Sequence, residues 1–140
     1  MTHYDGISLC TGILGFELGM VIAGISNHIN IRQCVEINPY CQELIRLRLP
    51  GVPIWDDLAT YVPPSNLESD RTIIWSGFPC QPVSQAGKQR GDADKRYLWP
   101  HILRLIRQVR PVVWVGENVS GLRTIDAGRL FRGILEDLSR

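Results

Sequence analysis

Thr72-Ile73-Ile74-Trp75-Ser76-Gly77-Phe78-Pro79-Cys80-Gln81-Pro82 sets four strand-forming residues directly against a loop of Gly, Pro and one thiol. The β-branched and aromatic run shows no polar alternation, which predicts a strand buried on both faces, as in a parallel sheet. From Gly77 to about Arg96 no apolar period is present, so this stretch is read as loop. Downstream, Leu98, Ile102, Leu105, Ile106 and Val109 mark one helix face that Pro111 stops, and Val112 to Val115 is a further strand. Asp126 is predicted to cap a last helix bearing Leu130, Ile134, Leu135 and Leu138. Upstream, Ile7 to Cys10 reads as the first strand, followed by a helix with Phe16, Leu18, Met20, Val21 and Ile25. Ile31 to Ile37 is the second strand. Asn38-Pro39 starts a helix running to about Arg48, and Val52-Pro53-Ile54 is a weak third strand. Strands alternating with amphipathic helices make the fold class α/β: a Rossmann-like, doubly wound, mainly parallel sheet.

The composition agrees with a globular domain. The 140 residues include 44% hydrophobic side chains and 15 Lys+Arg against 14 Asp+Glu, which excludes a disordered chain. No apolar run approaches the roughly 18 residues of a membrane span. Met1 to Asp5 has no basic stretch leading into an apolar one, so no signal peptide is read and a cytoplasmic setting is expected. No Cys pair forms C-x-x-C and the three His lie apart, so neither a metal site nor a disulfide framework is expected. Cys10, Cys34 and Cys41 read as small buried apolar residues. The near-neutral total hides an asymmetry: residues 1–60 carry −3 and residues 85–110 carry +5. That basic segment is either an Arg-rich solvated helix face or a surface for a polyanion.

Ligands of such sheets bind beyond the carboxyl ends of the strands. Gly12 and Gly15 lie in the turn after the first strand, where a backbone can approach a ligand at a helix N-terminus; a plain tight turn would use the same residues. Glu36, ending the second strand 21 residues past Gly15, suits ribose hydroxyls, and Asp57, after the third, suits an adenine amino group. Singly, each is also an ordinary surface or turn acid. Together on consecutive strand ends they favour an adenosine-containing cofactor. Cys80 follows the fourth strand as a loop thiol, which is inert in most proteins but a strong nucleophile as thiolate. Glu117 ends the fifth strand, so neighbouring fourth and fifth strands would set an acid beside the Cys80 loop.

Ser76-Gly77-Phe78-Pro79-Cys80-Gln81-Pro82, Ser84-Gln85-Ala86-Gly87-Lys88 and Gly116-Glu117-Asn118-Val119 resemble the cytosine-C5 DNA methyltransferases. The resemblance runs from Ser8 to the last helix and implies a methyltransferase fold that uses S-adenosylmethionine. It implies Gly12, Gly15 and Phe16 at the cofactor loop, Glu36 at the ribose and Asp57 at the adenine. Cys80 would attack C6 of a cytosine flipped out of double-stranded DNA, and Glu117 would bind the ring. Gln81, Ser84, Lys88, Arg90 and Arg96 would face DNA. Cys10 stands where the family usually has Phe, and Leu14 where it has Gly. A Gln-x-Arg-x-Arg motif and a target-recognition domain are absent from these residues. The chain is therefore expected to be the N-terminal portion of such a catalytic domain, over residues 1–140, either incomplete or complemented by a second polypeptide. The expected setting is a bacterial or phage-encoded restriction-modification enzyme. Two alternatives stay open: a non-catalytic remnant keeping the fold, and a tRNA cytosine-C5 methyltransferase.

Overall fold

A computed structural model describes residues 3–79 and 97–140. Among these residues five strands are present: β1 (Tyr4–Leu9), β2 (Ile29–Val35), β3 (Ile54–Trp55), β4 (Thr72–Gly77) and β5 (Val113–Glu117). Four α-helices accompany them: α1 (Gly15–Ile22), α2 (Pro39–Arg48), α3 (Trp99–Val109) and α4 (Arg129–Leu138). All the pairings are parallel and the order is β3-β2-β1-β4-β5. The winding reverses between β1 and β4, which opens a crevice at their carboxyl ends.

Each face of the sheet has its own core. On one side Ile7, Leu9, Val35 and Ile74 pack with Ile102 and Leu105 of α3 and Ile134 of α4. Trp99 Nε1 donates to Asp137 Oδ2 at 2.8 Å, tying α3 to α4. On the other side Leu14, Cys34 and Ile45 form a smaller cluster under α2. The Trp75 indole crosses β1 at Gly6, where a Cβ would stand 2.4 Å from the ring, so only glycine fits there. The β1–β2 register shifts at the same point, between Gly6 and Ile7.

The helix start at Asn38-Pro39 is found as predicted: Asn38 Oδ1 accepts from the Tyr40 N–H at 2.9 Å, and Pro39 opens the helix. Several expectations need correction. Asp126 does not cap α4. Its backbone is left-handed, its carboxylate accepts from Arg129 Nε at 2.9 Å, and Gly128 is the capping residue. The third strand begins only at Ile54, because Pro53 has no N–H to give a ladder; its carbonyl accepts from Cys34 N–H instead. Only Cys34 of the three expected core thiols is fully buried. The fifth strand is not covered on both faces. Val113 and Val115 share one face of β5 and remain 46% and 42% exposed because nothing among the described residues covers that face, whereas Trp114 on the other face packs against the core. Helix α1 turns most of its apolar side chains outward: Leu18 and Val21 are exposed, and the helix's one buried residue is Glu17.

Candidate active site

The chain leaves β1 at Leu9 and enters α1 at Gly15 through a turn in which Cys10, Gly12 and Leu14 have positive φ (52°, 58° and 68°). Gly12 occupies this region freely, whereas Cys10 and Leu14 are strained there. Glu36 holds the turn in place. Its Oε2 accepts from the Gly12 N–H at 2.7 Å and its Oε1 from the Asn38 N–H at 2.8 Å. Each oxygen keeps lone-pair capacity for a further donor. Asp57 Oδ1 accepts from the Ala59 N–H at 2.8 Å, fixing the turn after β3.

Two adjoining cavities open at these strand ends. The first, of about 290 Å³, brings Gly12, Glu36 and Asp57 together against apolar walls from Leu58 and Leu98. The second, of about 620 Å³, is lined by Gly12, Gly15, Phe16, Met20 and Glu117. Cys10, Gly12 and Gly77 border both cavities.

Glu117 is paired in register with Gly77 across β5 and β4, as the neighbouring of the fourth and fifth strands requires. A Cβ on Gly77 would lie 3.3 Å from Glu117 Oε2 and 3.8 Å from the Phe16 ring, so glycine leaves room for the carboxylate to lie over the β4 end. Asn118 Nδ2 donates to the Phe78 carbonyl at 2.8 Å, fastening the β5 end to the segment that leads into Pro79. Cys80, Gln81, Ser84, Lys88, Arg90 and Arg96 lie outside the described residues.

The cavity chemistry fits an adenosine cofactor carrying positive charge. A buried carboxylate with spare acceptor capacity shares the cavity with a second acid and with apolar walls, and among the described residues no basic side chain lines it. The Cys10 thiol is held protonated there: burial foremost, and then the Glu36 carboxylate, push its pKa up to about 12. Among the described residues no group of three or more His, Cys, Asp or Glu is placed to hold a metal. Nor is any helix among them long and apolar enough to cross a membrane.

Residues 4–140 match the family of C-5 cytosine-specific DNA methylases. The chain belongs to this family. Type II methyltransferase M.NgoBI of Neisseria gonorrhoeae is 34% identical over 138 residues, covering 98% of this chain and 41% of that protein. Type II methyltransferase M.HaeII of Haemophilus aegyptius is 33% identical over 141 residues, covering 100% of this chain and 42% of its own length. The C5-methylase chain thus spans about two fifths of these relatives. Its fold superposes on Schizosaccharomyces pombe Dnmt2 methyltransferase with a TM-score of 0.70 at 21% identity, over 96% of this chain and 42% of that one.

Three site features of this family member carry little signal in its sequence. Leu58 and Leu98 form cavity walls; Leu98 reads only as part of an apolar helix face, and Leu58 belongs to no pattern in the sequence. Asn118 was noted only as part of a motif, yet its amide bridges two strand ends. Glu17 carried no local signal, since an acid in an apolar-patterned helix reads as solvent-facing.

Proposed function

We propose that this chain carries the cofactor-binding and nucleophile-bearing part of a DNA cytosine-C5 methyltransferase. The observation that supports this most is the convergence of Gly12, Glu36 and Asp57 on one cavity, which joins at Gly77 the cavity bordered by Glu117. Glu36 would take the ribose hydroxyls on its free lone pairs, and Asp57 the adenine amino group. Leu58 and Leu98 would flank the base. S-adenosylmethionine supplies an electrophilic methyl group when bound.

Cys80, as thiolate, would form a bond from Sγ to C6 of the flipped cytosine, pushing the C5=C6 electron pair toward C5. Glu117 would accept from the exocyclic amine and, when protonated, donate to N3, offsetting the negative charge that develops on the ring. C5 would then take the methyl group, the bond from the methyl carbon to the cofactor's sulfur breaking to leave S-adenosylhomocysteine. Loss of the C5 proton to a base reforms the C5=C6 bond and expels the Cys80 thiolate. Gln81, Ser84, Lys88, Arg90 and Arg96 would contact DNA, with the cationic side chains on phosphates.

The test is covalent trapping on a duplex containing 5-fluorocytosine, where the C5 fluorine blocks the final elimination. With S-adenosylmethionine present and the C-terminal part that the relatives carry supplied, the chain is expected to form a denaturant-stable complex that Cys80→Ser abolishes. A complex that persists in the variant would rule out Cys80 as the nucleophile.

A further inference from the structure

We infer that Glu17 is a positioning residue that locks the cofactor turn and the nucleophile-bearing strand to one another through a single carboxylate oxygen. Glu17 lies in the first turn of α1, immediately after Gly15 and Phe16, and is 6% exposed. Its Oε1 accepts from Ser8 Oγ at 2.7 Å and from Trp75 Nε1 at 2.8 Å. Ser8 lies on β1, two residues before Cys10, and Trp75 lies on β4, five residues before Cys80. One atom therefore joins β1, β4 and α1, the three elements that meet at the winding reversal and bound the crevice.

The arrangement has a cost that packing alone does not explain. Oε2 is buried and has no hydrogen-bond partner. No salt bridge among the described residues involves Glu17. A buried acid with half its capacity unused is destabilising compared with an apolar residue of similar size. The amide dipoles at the start of α1 offset part of this. In return come two short charge-assisted bonds, which fix direction more tightly than the loose apolar packing α1 otherwise has on this face. Most apolar side chains of α1 point away from the described core, so among the described residues little else sets its rotation against the sheet.

The inference rests on the cofactor reading of the same crevice, so the test has an arm independent of it. Glu17→Ala, Glu17→Gln and a control, Leu105→Ala on the opposite face of the sheet, are compared in the full chain. Glu17→Ala is expected to weaken S-adenosylhomocysteine binding by calorimetry about tenfold, while Glu17→Gln, which keeps an acceptor oxygen, stays within about threefold. Leu105→Ala should leave affinity within about twofold although it destabilises the fold. Independently of any ligand, hydrogen exchange at the amides of residues 12–18 should quicken about tenfold in Glu17→Ala and not in Leu105→Ala. If Glu17→Ala does not fold, Ser8→Ala and Trp75→Phe each remove one donor and should each quicken that exchange about threefold. Equal exchange in Glu17→Ala and Leu105→Ala, or unchanged exchange in both donor variants, would overturn the inference. A wild-type chain that binds no S-adenosyl compound, yet shows the exchange difference, would instead count against the cofactor reading alone.

Discussion

Glu36 does two jobs at once: it receives the Gly12 and Asn38 amides and it lines the cavity. Removing it should therefore weaken S-adenosylmethionine binding by about 1–3 kcal/mol, as for a lost charge-assisted hydrogen bond. Calorimetry on Glu36→Ala checks this, and unchanged affinity would count against the ribose role. Asn38→Ala removes the α2 cap and should lower stability by about 1 kcal/mol, read as a shifted urea midpoint with unchanged slope. Residues whose role follows from neighbours in sequence were legible here. Asn38-Pro39 is such a pair, and the position of Glu36 and Glu117 at strand ends was legible in the same way. Asp126 had the same local appearance as Asn38 but a different outcome, because a left-handed backbone at Asp126 and Ala127 turns its carboxylate toward Arg129.

Among the elements, α1 departs furthest from its sequence pattern. Its length of 8 residues and apolar content suggest a core helix, yet Leu18 and Val21 are both 60% exposed. Val21→Lys is therefore expected to change stability by less than about 0.5 kcal/mol in thermal or urea unfolding. Leu14 behaves in the opposite way. Its φ of 68° favours glycine, but its side chain is buried against Cys34 and Ile45. Leu14→Gly gives up roughly 2 kcal/mol of burial and recovers roughly 1 kcal/mol of backbone strain, a net loss of about 1 kcal/mol by urea unfolding. Edge strand β5 shows the same limit of sequence reading. Val113 and Val115 have the composition of a central strand, and only the pairing pattern reveals that one side of β5 has no neighbour among the described residues.

Across the whole molecule, burial sets a pH dependence. Burial foremost, then the Glu36 carboxylate, raises the Cys10 pKa to about 12. Burial foremost, then Glu17, raises that of Cys34 to about 12 against the opposing Thr11 hydrogen bond. Burial also raises Tyr61, with Cys34 adding to it. In the unfolded chain these thiols titrate near about 8.5, so above that pH the unfolded state binds fewer protons than the folded one. The stabilisation is complete below the unfolded value and is lost as pH rises toward the folded one. The urea midpoint should fall between about pH 8 and pH 10, and Cys34→Ala should flatten that fall. A midpoint constant over this range would contradict the assignment.

The strand-and-helix alternation, the parallel class and the acids at strand ends were written in the sequence, because each depends on the period of side chains along one segment or on a residue's distance from a strand end. The meeting of Glu36, Asp57, Gly77 and Glu117 was decided by tertiary structure, since it depends on β1 and β4 lying side by side and on β5 pairing with β4. Glu17 belongs wholly to that second kind. Its partners are 9 and 58 residues away in the chain, and only the packing of β1, β4 and α1 brings both donors onto one oxygen.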